Sequence, residues 1–314
     1  MLSAEQRIAV AALLRAGHFQ QAMELLISLG AMQPSGADRL SMRGVPLGAV
    51  DLHGADMYSA DLLGVDLTGA DLGEAVLSGA SLILARLSQA SLRGALLDDA
   101  DLYRASLVGA DLRGVDLSRA TAINADVSGA DLRAIKWADA LLDGVTVKDA
   151  RLDRDALEVL RQAPRVALVG VSLRDADINS TDLDQLDLSE SDFGGAIVDR
   201  ASLRGALLRR ANFKSASLKY ADLNGADLRR ANLWRADLFE ANLSGAELPG
   251  ADLREANLSG AMLWGVNLSG ADMADADLRR AELRGATLSG VSSSRNTRWP
   301  KGFNPDAHGI WEQS

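Results

Sequence analysis

The chain has no cysteine among its 314 residues, which excludes disulfides and thiol catalysis. Histidine is nearly absent: His18, His53 and His308 lie far apart, so no metal site and no nucleophile–base pair is expected. No stretch is long and apolar enough to span a bilayer. Excess positive charge is also missing: the formal net charge is −10, which argues against direct binding to nucleic acid or to an anionic membrane. The opening MLSAEQRIAVAALLRAG has no basic segment ahead of an apolar run and does not read as a signal peptide. The cytoplasm is the expected location. No glycine loop with phosphate-cradle spacing and no isolated carboxylate pair occurs. The expectation is therefore a protein that is not an enzyme, with no catalytic residue, no cofactor and no metal.

What the chain has is a period of five. Starting at Met42, an apolar residue recurs every fifth position to Leu152, 23 times, and again from Leu168 to Leu288, 25 times. Such a period fits neither a helix nor an alternating strand and marks an internal repeat. The position two residues before each of these is also small or apolar: in the second array it is Ala from Ala196 to Ala286, with Val266 the exception. Residues two apart on an extended segment point the same way, so both face inward. The remaining three positions (Asp, Asn, Ser, Arg, Gly) face water, and Asp227 is therefore expected to tolerate Asn. Glycine at the last position, as at Gly54, Gly64 and Gly69, suits a chain that turns sharply in every unit.

These residues, as in Ala70-Asp71-Leu72 and its neighbours, resemble the pentapeptide-repeat proteins, whose unit is written A(D/N)LXX. The resemblance covers about residues 40–152 and 166–291. It implies an all-β solenoid, a right-handed quadrilateral β-helix with four units per coil, in two arrays of roughly six coils at about 4.8 Å between strands.

Leu168 follows Leu152 by three units plus one extra position, so an insertion separates the arrays. Asp153 as N-cap, the spacing of Ala156, Leu157, Leu160 and Ala163, and Pro164 as a stop predict a short helix. Before it, Ala122 and Val127 under-fill the centre and Trp137 over-fills it, so distorted coils are expected. Ser3-Ala4-Glu5-Gln6 is a capping box opening a helix to about Arg15. With a second segment, Phe19–Leu29, it predicts a helical hairpin over the first coil. Trp299, Phe303, Ile310 and Trp311 are expected to fold across the last coil. The organisation read is a helical hairpin cap (1–39), a first array (40–152), a helical insertion (153–165), a second array (166–291) and a capping tail (292–314).

Two surfaces are candidates for function. Counting by twenty stacks Asp51, Asp71, Ser91, Asp111 and Asp131 in an acidic column. Its plain reading is solvation of the wall and hydrogen bonding of the turns; its functional reading is imitation of a phosphate backbone. Both arrays are acidic, with 16 acidic against 10 basic residues in 40–152 and 19 against 14 in 166–290, yet arginine is interleaved throughout. The second surface is aromatic. Tyr58 and Tyr103 stand on the first array, and Tyr220, Trp234, Phe239 and Trp264 cluster on the second. Trp234 is expected to stack between Lys214 and Arg254. Exposed aromatics beside arginine are enriched at interaction hot spots. The leading expectation is a scaffold that binds a protein partner through the second array. The alternative comes from the resemblance: the quinolone-resistance branch of the family mimics duplex DNA and binds DNA gyrase and topoisomerase IV. Against it, this chain ends in a Pro-containing tail where that branch has a dimerising helix.

Overall fold

The computed structural model describes residues 2–31, 40–308 and 310–313. It divides into two compact units, Met1–Ala167 and Leu168–Ser314. Residues 32–39, which close the expected hairpin cap, lie outside the described residues, as does the side chain of Trp311.

Both units are right-handed quadrilateral β-helices. Parallel bridges join positions twenty apart, as in Asp51↔Asp71 and Asp71↔Ser91 in the first unit and Asn212↔Asn232 in the second. Twenty positions are four units of five, so each coil has four faces.

The reason five residues make one face is visible in the amides of residues 71–75. Asp71 N donates back to Val50 O (2.9 Å), Leu72 N forward to Ser91 O (2.6 Å), and Glu74 N forward to Arg93 O (2.9 Å). Ala75 N closes the turn on Leu72 O (3.1 Å). The fifth amide, of Gly73, meets no carbonyl and donates instead to Asp71 Oδ1 at 2.9 Å. All five donors are thus satisfied, as a closely packed backbone requires.

The inward positions fill the coil. Leu and Ala columns are buried through both units, for example Leu72, Leu92, Ala75 and Ala95. Phe193 and Phe213, one coil apart, stack with centroids 4.4 Å apart. The last position of each unit is left-handed whatever residue occupies it: Gly225 has φ 66°, but Arg210, Tyr220 and Arg230 have φ of 58°, 60° and 58°. Glycine eases this turn without being required by it. Each non-glycine there bears on the order of 1–2 kcal/mol of backbone cost, offset by the ladder it completes.

Helices close the first unit at both ends. α1 (Ala4–Arg15) opens with the Ser3/Gln6 capping box and packs on α2 (Phe19–Ser28). Arg7 Nη1 donates to Gly48 O at 2.7 Å, and Arg15 pairs with Asp51, which ties α1 to the first coil. At the other end α3 (Arg154–Leu160) buries Ala156, Leu157 and Leu160. Asp153 serves two edges at once: Oδ1 accepts from Ala156 N at 2.9 Å and Oδ2 from Ala134 N at 2.6 Å. The ladder does not break at Ala122 and Val127, which remain buried. Trp137 is half-buried rather than filling the centre. An extra residue has entered the ladder by Pro164. Gly144 N donates to Pro164 O, twenty positions on, whereas Gly129 N donates to Lys148 O, nineteen on.

In the second unit, Ser292 and Arg298 continue the ladder on Asp272 and Asp277. The tail then returns so that β2 (Trp311–Gln313) lies parallel to β1 (Ser292–Ser294). Ile310 is buried, while Trp299, Phe303 and His308 stack in series at 4.9 and 4.8 Å.

Leu228 is fully buried in a regular stretch. Leu228→Asp places an unpaired carboxylate in an apolar column and should cost more than about 3 kcal/mol. Urea denaturation followed by circular dichroism should show either loss of the second unit's cooperative transition or a shift of that size.

Candidate functional site

Trp234, Phe239 and Trp264 each stand at the outward position directly after a central Leu, and Tyr220 occupies a left-handed corner. The step from Trp234 to Phe239 is one face. The step from Phe239 to Trp264 is five units, one coil plus one further face. The four aromatics therefore occupy three successive faces and do not form one cluster.

Tyr220 and Phe239 do meet, edge to face, with centroids 5.6 Å apart. Arg200 lies 5.2 Å over the Tyr220 ring, and Tyr220 is 44% exposed. Trp234 is half-buried between two cations, Lys214 at 4.3 Å and Arg235 at 4.7 Å. The second cation is Arg235, not the expected Arg254, because Arg254, one coil on along the same face, is engaged with Asp252 (Nε–Oδ1 2.9 Å, Nη2–Oδ2 2.7 Å). Glu255 completes the Trp234 group, accepting from Trp234 Nε1 at 3.1 Å and Arg235 Nε at 2.7 Å. The Arg235 and Trp234 hydrogen bonds hold its carboxyl below the ordinary glutamate value. Trp264 stands apart, 48% exposed, its Nε1 donating to Glu282 at 2.7 Å. It borders an open groove of about 670 Å³ with Leu283 and Arg284. On the first array Tyr58 is exposed, and Tyr103 carries Arg104 at 5.3 Å.

The acidic column stacks as counted. Each of its aspartates caps a turn: Asp51, Asp71, Asp111 and Asp131 accept from the amides of His53, Gly73, Arg113 and Arg133. This is the Asx turn. Most of the column's charge is met locally. Arg15 pairs with Asp51, Arg113 with Asp111, and Arg133 with Asp131, while His53 lies 4.0 Å from Asp71. The Arg113 hydrogen bond lowers the pKa of Asp111. At Asp131 burial pushes upward, but the Arg133 hydrogen bonds and charge outweigh it and lower the pKa. Among the described residues no group of three or more His, Asp or Glu side chains is placed to hold a metal, and no helix is long and apolar enough to cross a membrane.

The family model for pentapeptide repeats matches eight copies, within residues 47–133 and 196–290, more than half of the chain. The chain belongs to the pentapeptide repeat family. Among solved structures it is similar to HetL, a pentapeptide repeat protein involved in heterocyst differentiation regulation from the cyanobacterium Nostoc sp. strain PCC 7120 (30% identity over 86% of this chain and 95% of that one, TM-score 0.18). It is also similar to a second pentapeptide repeat protein from Nostoc PCC 7120 (41% identity, 33% of this chain and 86% of that one, TM-score 0.33). A third likeness is to QnrB1, a plasmid-mediated fluoroquinolone resistance protein (20% identity, 64% of this chain and 83% of that one, TM-score 0.30). No match was found among curated proteins.

Within this pentapeptide repeat protein the sequence reading of Asp227 needs correction. It is not a solvated wall residue but 6% exposed. Arg229 grips both of its oxygens (2.8 and 2.7 Å), and Arg209, from the coil before, donates to Oδ2 at 2.5 Å. Burial alone would raise its pKa, but these hydrogen bonds prevail and lower it to about 2. The Arg209 contact falls two positions short of a full coil, a diagonal that counting by twenty misses.

Asp227→Asn should therefore destabilise the second unit by about 1.5–3 kcal/mol, the size of a lost charge-assisted hydrogen-bond set. Because the folded pKa is depressed, the contribution of Asp227 is full above the unfolded value near 3.9 and is lost as pH falls towards about 2. Denaturation midpoints of the two proteins should differ at pH 6 and converge as the pH is lowered through that window.

Proposed function

We propose that this pentapeptide repeat protein is a non-catalytic scaffold that binds a protein partner through adjacent faces of its second array. The observation that carries this reading is an aromatic edge region on two adjacent faces: Tyr220 packed on Phe239, and Trp234 one face before them. There Trp234 is flanked by Lys214 and Arg235, and Tyr220 is flanked by Arg200 and Phe239. Rigid aromatics with flanking cations lose little freedom on binding and supply the contact types that dominate hot spots. A partner reaching this edge touches two faces; Trp264 lies beyond it. Arg254, committed to Asp252, contributes charge to the neighbouring coil rather than to the ring stack.

The alternative, a DNA mimic acting on a type II topoisomerase, draws on the acidic column. Its aspartates are occupied with turn amides and three of the four with arginine, which reduces the bare negative charge such a mimic presents. A supercoiling assay with purified DNA gyrase, with and without a quinolone, separates the two. The scaffold reading expects no change in gyrase activity, and protection or inhibition by the protein would favour the mimic.

Trp234→Ala combined with Phe239→Ala should cost most of the affinity for the natural partner, at least tenfold, while a moderate rise in salt changes it little. The readout is quantitative pull-down with the wild type and the double variant. Retention of every partner by the double variant, or a steep salt dependence, would remove this edge as the binding site.

A further inference from the structure

On another face of the second unit two Arg-Arg pairs stack one coil apart. Arg209, Arg210, Arg229 and Arg230, with Ser189 and Glu190, line an open groove of about 500 Å³. The inner pair, Arg209 and Arg229, closes on one carboxylate, Asp227. The outer pair, Arg210 and Arg230, repeats that stacking one position along the chain without a carboxylate between them. Arg210 reaches Glu190 at 3.5 Å. Arg230 has no carboxylate within 4.0 Å among the described residues. Glu247, one coil beyond Asp227, adds its charge near Arg229 and is itself engaged by Asn267 at 2.7 Å. Four arginines stand against Asp187, Glu190, Asp227 and Glu247 on this face, so the patch is charge-balanced in a chain whose net charge is −10, with Arg230 the arginine left without a carboxylate among the described residues.

The column that continues from Arg230 is Gly250, Gly270 and Gly290. A side-chain atom at Gly250 would lie 3.7 Å from Arg230 Cγ, and at Gly290 3.8 Å from the Gly270 backbone, so the wall there is bare backbone beside the arginines. From Arg210 to Gly290 is four coil steps, about 19 Å, which an extended segment of about six residues spans.

We propose that this groove docks an extended acidic segment of a partner protein, with Arg210 and Arg230 clamping one of its carboxylates and the segment lying along the glycine column. The inner pair shows the chemistry: two arginines from successive coils grip a single carboxylate, the planar fork matching its two oxygens. The surrounding negative charge does not forbid this, since at physiological salt it is screened beyond about 8 Å. The groove lies on a different face from the aromatic edge, and its binding is read directly, without the partner of that reading.

The test is fluorescence anisotropy with the full chain and a fluorescein-labelled decapeptide of alternating Glu and Ser, beside its Gln–Ser counterpart. The Glu peptide should bind, and the Gln peptide should bind at least tenfold more weakly. The double variant Arg210→Gln with Arg230→Gln should lose at least tenfold in affinity for the Glu peptide, while its thermal melting stays within a few degrees of wild type. Inorganic phosphate at the peptide's own concentration should not displace it. Failure of the wild type to prefer the Glu peptide would overturn the proposal, as would equal binding by the double variant. Displacement by equimolar phosphate would overturn it in favour of a phosphate site.

Discussion

The surface chemistry of the structure follows from the third amide of the five-residue unit. Four of the five donors are met by the backbone, three between coils and one within the turn, but the amide after the central Leu has no carbonyl to reach. Where Asp or Asn stands two residues earlier its side chain supplies the acceptor, as Asp71 does for Gly73 and Asn232 for Trp234; where Ser stands there, as before Arg204 and Lys219, an aspartate one coil back accepts instead. Leaving such a donor unmet in a part-buried wall costs about 1–3 kcal/mol, and the demand recurs in each unit. A short side chain ending in a carbonyl-type oxygen is what the geometry asks for, and Asp or Asn provides it.

That demand accounts for much of the chain's acidity. Aspartate stands at this position to cap a turn, and its charge is then a by-product that the neighbouring positions offset. Arg113, Arg133, Arg254 and Arg279 each sit two residues after an aspartate and return to it. Asparagine performs the same turn without the charge and adds a bond along the stack: Asn212 Nδ2 donates to Asp192, and Asn232 Nδ2 to Asn212. The acidic wall is first a property of the fold, and distinctive surface chemistry resides where the pattern is interrupted by aromatics or by paired arginines.

The repeat was legible because each of its five positions has one environment, met again every fifth residue. The Leu and Ala columns, the helical insertion and the Asp153 cap all follow from local spacing. What escaped the sequence is contact between coils along diagonals. Asp227 looks solvated until Arg209, from the coil before, is seen to fold over it. Arg254 looks like the cation above Trp234, yet the nearer carboxylate of Asp252 draws it away and Arg235 takes the place. The spread of the aromatics over three faces was available by arithmetic, since five units are one coil and one face. Which rings would touch depended on side-chain directions that spacing does not give.

The claim that these aspartates serve the turns is tested most directly at Asp56, Asp101 and Asp126. Each accepts from the amide two residues on, of Tyr58, Tyr103 and Ser128. Equilibrium denaturation should be compared for the triple Asp→Asn and the triple Asp→Ala variants of these residues. The account predicts that the Asn variant stays within about 1 kcal/mol of wild type and that the Ala variant loses roughly 2–4 kcal/mol, about one per turn. Equal losses in the two variants would show that charge, not the turn hydrogen bond, is what the position requires, and would contradict it.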